Sequence, residues 1–401
     1  MLTQFKCNSS RGISLESIPK YGMRIAAMML DVTLNCNLNC SYCFKKKENR
    51  DMPLRVAQDA IVWLIYASGQ EKEISVQFMG GEPLLRLEMM KELIPFAQTR
   101  AKAHGKKVNL SVTTNTTLVT ESIVQYACES GLKFHLSVDG IPEIQNNNRP
   151  LASGMPSSPM IETAIPVILK AQPAIMARGC VTSHNVQNMF KSFNYFRDFG
   201  FTTIGLFPCE VDEWTMATLQ IYEEQLSLIG ERCIGAWRSG IHLELLPFCR
   251  CFSKENRQER GCVPCGAGRG MVLIDVDGGI WPCSRFESLK EKQWQLGSIY
   301  EGYDENIRKP FVEGCPTEKF YPECKGCVAT RICEGGCIAE NLVKKGDMYV
   351  LHPNDCELQR ILARVGSKVH DIMYAEKNPL FMKKYYPKEW KEIEESADSH
   401  E

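Results

Sequence analysis

Two hydrophobic periods alternate along the first 240 positions. IAAMMLDVT (25–33), ISVQFMG (74–80), VNLSVTT (108–114), KFHLSVDG (133–140), IMARGCVT (175–182) and TTIGLFP (202–208) are short apolar or alternating runs, and they predict strands. Between and after them come MPLRVAQDAIVWLIYAS (52–68), LEMMKELIPFAQTRAKAHG (87–105), TESIVQYACESG (120–131), AIPVILKAQ (164–172), NMFKSFNYFRDFG (188–200) and EEQLSLIGERCIGAWRSG (223–240). These repeat apolar positions every three or four residues and predict helices. Strands alternating with helices imply an α/β fold with a parallel sheet and crossover connections. Functional groups in such a sheet collect at the C-terminal strand ends. After about residue 249 the periodicity fades. GMVLIDVDGGIWPCSRF (270–286) predicts one hairpin on a DGG turn, and ELQRILARVGSKVHDIMYAEK (357–377) predicts a helix followed by a charged, frayed end. There is no internal repeat.

Composition sharpens this outline at one point. The 401 residues suffice for two or three domains, and the formal net charge of -1 gives no pull toward nucleic acid or anionic membrane. No secretory h-region opens the chain and no apolar run spans a bilayer, so a cytoplasmic location is expected. The chain has 19 cysteines. A reducing compartment makes a disulfide scaffold a poor explanation for them, and metal or cluster ligation a better one.

Cys36, Cys40 and Cys43 have the spacing C-x3-C-x2-C directly after a predicted strand. Three thiolates on one loop can hold three irons of a [4Fe–4S] cluster and leave the fourth open to substrate. A zinc knuckle is the alternative, but it needs a fourth ligand and none is near in sequence. CNLNCSYCF resembles the C-x3-C-x-aromatic-C signature of radical S-adenosylmethionine enzymes. Met79-Gly80-Gly81-Glu82-Pro83 resembles their GGEP motif, one βα unit downstream. The resemblance implies a partial (β/α)6 TIM-like barrel. It implies adenine packing for Tyr42, and contacts to the methionine amine for Gly80, Gly81 and Glu82. Asn115 stands in a segment similar to the family's TNG motif, with Thr116 where glycine is usual. Ser137 and Asp139 stand where the family contacts ribose, and Arg149 where a guanidinium pairs with the cofactor carboxylate.

The later cysteines follow a second pattern: Cys262, Cys265, then Gly278-x4-Cys283, then Cys324-x2-Cys327-x5-Cys333-x3-Cys337, then Cys356. This resembles the SPASM module of a radical S-adenosylmethionine subfamily, which carries two auxiliary [4Fe–4S] clusters. Carried over, one cluster takes Cys262, Cys265, Cys283 and Cys337; the other takes Cys324, Cys327, Cys333 and Cys356. Which of Cys262 and Cys265 is a ligand stays open, and Cys249, Cys251 and Cys315 could compete. A two-zinc ribbon is the alternative. Cys7, Cys128, Cys180, Cys209 and Cys233 read as small buried residues. The expected organisation is an extension (1–24), a barrel (25–240), an iron–sulfur module (249–360) and a helical tail (361–401).

The resemblance implies an enzyme that cleaves S-adenosylmethionine with an electron from a flavodoxin- or ferredoxin-type donor. The resulting 5′-deoxyadenosyl radical would take hydrogen from a peptide or protein side chain. Crosslinking of a ribosomally made peptide is the leading expectation; sulfatase maturation and small-molecule dehydrogenation are alternatives within enzymes. An electron-transfer or zinc protein is the alternative outside them. Sulfatase maturases carry an Asp after the Cys of the WPC-like strand, whereas here Ser284 follows Cys283, and a neutral hydroxyl is a poor base. Glu210, Asp212, His242 and Glu244 are weak candidates for that base.

Overall fold

A computed structural model describes residues 13–14, 16, 18–19, 24–209, 211–252, 265–313, 324–333 and 335–398. Each predicted strand and helix is present. In chain order the first part runs β1 (Ala27–Thr33), α1 (Leu54–Ala67), β2 (Glu73–Gly80), α2 (Leu87–Ala103), β3 (Lys107–Thr114), α3 (Glu121–Ser130) and β4 (Leu132–Ser137). It continues with α4 (Pro142–Asn148), α5 (Ser158–Ala171), β5 (Ala177–Val181), α6 (Met189–Phe199), β6 (Thr203–Pro208) and α7 (Met216–Arg238). Next come β7 (Glu244–Leu245), α8 (Cys249–Phe252), β8 (Met271–Ile274), β9 (Gly279–Trp281), α9 (Ser284–Leu289), β10 (Gly297–Ser298), β11 (Gly302–Tyr303) and α10 (Glu305–Glu313).

The chain forms two compact units. The first comprises the described residues of Met1–Leu136, Arg149–Ala171 and Arg260–Pro316. Its strands lie in the order β11-β10-β9-β8-β1-β2-β3-β4. β1, β2, β3 and β4 are mutually parallel, as crossover helices require. Two faces of this sheet differ. Ile74, Val76 and Phe78 of β2, Leu110 and Val112 of β3, and Phe134 and Leu136 of β4 are buried and share one face. Burying each such side chain is worth about 1.5–3 kcal/mol. The other face carries Gln77, Thr113 and His135, all half-buried, with Gln77 Nε2 donating to Thr113 Oγ1 at 2.8 Å. A parallel strand is normally apolar on both sides. Here the second face is polar and half-open, which leaves room for a ligand.

The predicted DGG hairpin forms between β8 and β9, pairing Leu273 with Trp281 and Ile274 with Ile280. Its first strand also runs parallel to β1, pairing Ala27 with Met271 through Leu30 with Ile274. The spacing of the hairpin residues gave no hint of that partner.

The second unit comprises the described residues of Ser137–Asn148, Gln172–Glu259 and Thr317–Glu401. Its strands are β5-β6-β7, again parallel. The predicted late helix is Pro353–Ala375. The charged end beyond it, expected to fray, is instead two helices, Pro379–Tyr385 and Pro387–Asp398. Asn378 starts the first of them: its side chain accepts from Phe381 N at 3.2 Å and donates to Trp237 O at 3.0 Å. Phe381 and Tyr386 are buried against Trp237, Phe252 and His370. Spaced aromatics in a charged stretch held the segment down where charge alone suggested fraying. No helix among the described residues is long and apolar enough to cross a membrane.

Candidate active site

The first unit carries the three-cysteine loop on the end of β1. The register of β1 against β2 shifts between Asp31 and Thr33, and this bulge re-aims the chain as it enters the loop. Cys36 and Cys40 are half-buried and Cys43 is exposed. The loop is pinned by backbone bonds to a distant segment: Asn39 N donates to Pro150 O, and Ala152 N donates to Asn37 O, both at 2.8 Å. Two N–H groups face the Cys36 sulfur, Leu38 N at 3.5 Å and Asn115 Nδ2 at 3.9 Å. Burial pushes the Cys36 thiol above its ordinary value. Among the described residues, no three His, Cys, Asp or Glu converge on a point that a single ion would occupy. A soft, all-thiol donor set with N–H groups turned toward sulfur fits an iron–sulfur cluster.

Gly80 and Gly81 make the site possible by allowing close approach. Gly80 has φ +134, and a Cβ there would lie 2.0 Å from Thr33 O. A Cβ on Gly81 would lie 2.0 Å from Asn35 O and 3.0 Å from the Cys36 Cβ. Gly81 N donates to Thr33 O at 2.8 Å and Glu82 N to Asn35 O at 2.9 Å. The glycine pair therefore docks the end of β2 on the root of the cysteine loop. Glu82 is fully buried, and its carboxylate accepts from Leu84 N (3.0 Å), Thr114 Oγ1 (2.8 Å) and Asn115 N (2.7 Å). Burial pushes it up to about 7 despite those three donors. Its bonds hold the end of β3, where Asn115 donates to Asn37 Oδ1 at 2.8 Å. Thr116, which replaces the family's glycine, has φ 73 and a buried hydroxyl without a hydrogen-bond partner. The positive φ explains why glycine suits that position.

The Arg149 guanidinium lies over the Tyr42 ring at 5.2 Å, so two expected cofactor contacts stand side by side. In the second unit Asp139 is nearly buried and fixed by Asn148 Nδ2 (2.9 Å) and Cys180 N (3.0 Å). Ser137, at the end of β4, is half-buried.

The later cysteines divide between the units. Cys265 and Cys283 belong to the first, where burial raises the Cys283 thiol and Cys265 adds to that rise. Cys262 and Cys315 lie outside the described residues. In the second unit Cys333, Cys337 and Cys356 line a cavity of 120 Å³ together with Arg250. Burial, with Cys333 and Cys324 nearby, pushes the Cys356 thiol up to about 11. Arg360 hydrogen-bonds the Cys327 sulfur. Thiols around empty room, with cations beside them, fit a cluster held by thiolates.

The base candidates fare unequally. Glu210 lies outside the described residues. Asp212 accepts from Ser183 N and Glu213 N. His242 lies 3.2 Å from Lys384 Nζ. Glu244 is buried and accepts from Lys384 Nζ and Tyr385 Oη, each at 2.6 Å. Burial alone would raise its carboxyl, but His242, Lys384 and Tyr385 outweigh it and hold it at about 2. Sequence reasoning missed a buried group on the other unit. Asp31 of β1 is fully buried and paired with Lys45, which also faces Glu287 at 3.7 Å. The visible signal was an aspartate inside the apolar run MMLDVT.

A parallel α/β sheet whose first strand feeds a three-cysteine loop, braced by half-buried Gly80 and Gly81 and a buried Glu82, fits an S-adenosylmethionine-dependent iron–sulfur enzyme. Residues 30–219 match the model of the Radical SAM superfamily, which makes this stretch a radical SAM domain. It is 24% identical over 344 residues to a cysteine-type anaerobic sulfatase-maturating enzyme of Clostridium perfringens, covering 78% of this chain and 88% of that protein. The fold matches anSMEcpe with bound AdoMet at a TM-score of 0.72 and 21% identity, over 90% of this chain and 98% of that one. It also matches Streptococcus suis SuiB bound to precursor peptide SuiA, at a TM-score of 0.59 and 18% identity, over 83% and 76% of the two chains. The fold is thus the partial barrel that the sequence implied. A radical SAM domain, with relatives that are enzymes over most of their length, speaks for an enzyme and against the electron-carrier and zinc-protein alternatives. Family members bind S-adenosylmethionine and a [4Fe–4S] cluster.

Gly81→Ala is expected to push the cysteine loop off β2. Iron per chain after anaerobic reconstitution should fall well below wild type; full loading would contradict the docking role. Glu244 is expected to stabilise the fold above its ordinary value near 4.5, and that contribution fades as pH falls toward about 2. Thermal melts of wild type and Glu244→Gln should therefore differ most at neutral pH and converge in acid.

Proposed function

We propose that this enzyme crosslinks a ribosomally made peptide by removing hydrogen from a side chain, forming a thioether, carbon–carbon or ether bond. Ser284 carries this reading. It opens α9 directly after Cys283, where the sulfatase maturases place a carboxylate base. A buried neutral hydroxyl does not take a proton at neutral pH. The identity to a sulfatase-maturating enzyme over most of both chains favours a second reading, formylglycine formation on a sulfatase.

Cys36, Cys40 and Cys43 would hold the cluster, and S-adenosylmethionine bound there would supply the radical chemistry. The chain's own groups bind and orient. Arg149 offers its guanidinium to a carboxylate, and Tyr42 beneath it offers a ring face to adenine. Gly80, Gly81 and Glu82 hold the strand end at the methionine amine, with Asn115 braced beside them. Ser137 and Asp139 are the candidates for ribose contact; Asn148 and Cys180 N hold the Asp139 carboxylate. We assign residues 25–240 to the radical domain and 249–360 to a SPASM module, flanked by 1–24 and the tail 361–401. In that module Cys262, Cys265, Cys283 and Cys337 would hold one auxiliary cluster, and Cys324, Cys327, Cys333 and Cys356 the other. They offer an exit for the electron that a substrate radical must lose. A flavodoxin- or ferredoxin-type protein in the cytoplasm would supply the entering electron.

The test is anaerobic incubation with reductant, S-adenosylmethionine and a short precursor peptide encoded beside the enzyme. A mass loss of about two hydrogens without formylglycine is expected; conversion of a sulfatase peptide instead would overturn crosslinking. Cys43→Ala should abolish 5′-deoxyadenosine formation, whereas Cys356→Ala should keep some uncoupled cleavage. Equal loss in both variants would count against separate roles for the two cysteine sets.

A further inference from the structure

Phe44 and Arg285 have no part in the cofactor contacts assigned above, yet the structure sets them against each other. The Arg285 guanidinium lies over the Phe44 ring at 4.4 Å, inside cation–π range. Phe44 directly follows Cys43, and Arg285 follows Cys283 by two positions. On the other side of Cys43 in sequence, Tyr42 carries the Arg149 guanidinium at 5.2 Å. All of these residues belong to the first unit. The exposed Cys43 is thus flanked along its loop by two aromatic rings, each with a guanidinium over it.

Ordering a long arginine side chain costs conformational entropy, and a ring beneath it removes part of that cost before any ligand arrives. A guanidinium over a ring keeps its N–H groups in its own plane, where they meet the two oxygens of a carboxylate as a fork. Presentation also singles out Arg285. Ser284 before it and Phe286 after it are buried, whereas Arg285 is half-buried and Phe44 is 39% exposed. Charge favours an anion here. Residues 44–50, FKKKENR, hold four cations and one acid. The acids of the neighbourhood already face cations: Asp31 and Glu287 face Lys45, Glu287 also faces Lys290, and Asp277 faces Arg50. Packing alone would be served by an apolar side chain over Phe44. A further cation beside three lysines instead adds repulsion that an incoming carboxylate relieves.

We propose that Arg285 is a specificity residue that binds a carboxylate of the peptide substrate. The substrate would then carry an Asp, a Glu or its C-terminal carboxylate close to the residue that loses hydrogen. The inference rests on a peptide being the substrate and not on the bond that forms. The carboxylate pairs with the edge of the guanidinium over Phe44 and sets the register of the peptide against the cysteine loop. Bidentate pairing fixes direction as well as position, which a radical abstraction from one chosen carbon requires. A glutamine or asparagine at the same peptide position offers a single neutral acceptor and binds more weakly.

The test uses the anaerobic holoenzyme and the precursor peptide encoded beside it. Versions of that peptide have each Asp or Glu changed to Asn or Gln, or the C-terminus amidated, which separates the two sources of carboxylate. One of these changes should raise KM roughly tenfold or more with wild type. Arg285→Gln should show that raised KM with the intact peptide and no further rise with the neutral one, the signature of a coupled pair. Arg285→Lys keeps the charge without the fork and should fall between. Equal KM for every peptide with wild type, or additive effects with Arg285→Gln, overturns the proposal. Loss of iron from Arg285→Gln overturns it too, because the residue would then brace a cluster. A second arm needs only wild type without reductant: phenylglyoxal modification of Arg285 is followed by peptide mapping. The intact peptide should slow this reaction several-fold and one neutral version should not; equal protection by all versions overturns the anchor. If wild type leaves the precursor unmodified while its acid still protects Arg285, the crosslinking reading fails and the anchor stands.

Discussion

The site depends on one close approach of backbone to backbone. Gly80 and Gly81 bring the end of β2 so near to Thr33 and Asn35 that a single added carbon would meet a carbonyl oxygen at 2.0 Å. Hydrogen bonds from Gly81 N and Glu82 N lock this approach. Glu82, carried inward by the same turn, passes the constraint to β3 through Thr114 and Asn115. Asn115 then reaches Asn37 in the cysteine loop. Three strand ends and a loop are thus positioned by one fully buried carboxylate with three donors, which makes its partners expensive to lose.

This bracing explains how a half-open polar face survives in a parallel sheet. The helix-covered face supplies the burial through Ile74, Val76, Phe78, Leu110 and Val112. The opposite face is free to carry Gln77, Thr113 and His135 because stability does not rest on it. Asp31 is the exception, being buried on β1 and neutralised by Lys45. Lys45 follows Cys43 by two positions, and Arg285 follows Cys283 by two and lies over the Phe44 ring at 4.4 Å. Within the first unit, the segment after the first cysteine group therefore meets the segment after Cys283 by charge and by ring stacking.

Much of this was legible beforehand because its causes are local. Strand and helix periods follow from burial of one face, so β1 to β6 and the helices between them fell where the pattern put them. The cysteine loop was legible because ligand spacing is a short-range geometric demand. What stayed hidden depends on partners distant along the chain. No spacing rule joins β8 to β1 or Lys45 to Glu287. Glu244 stood among the base candidates because Lys384 and Tyr385, which engage it, come from a tail whose charges suggest fraying. Gly80 and Gly81 were read as backbone exposed to a ligand; their steric reason lies in contacts with Thr33 and Asn35. Thr116 could be flagged as unusual, but only the positive φ shows why.

The backbone bonds that pin the loop to residues 150–152 have a consequence for biogenesis. Leu38 bridges Leu151, roughly a hundred residues later in the chain. A ribosome adding 5–20 residues per second takes on the order of 5–20 s to make that stretch. Throughout that interval the loop lacks its contacts with residues 150–152. The complete loop geometry therefore arises only once translation has passed the fourth βα unit, and until then its three sulfurs share the exposure to oxidation of any nascent thiol.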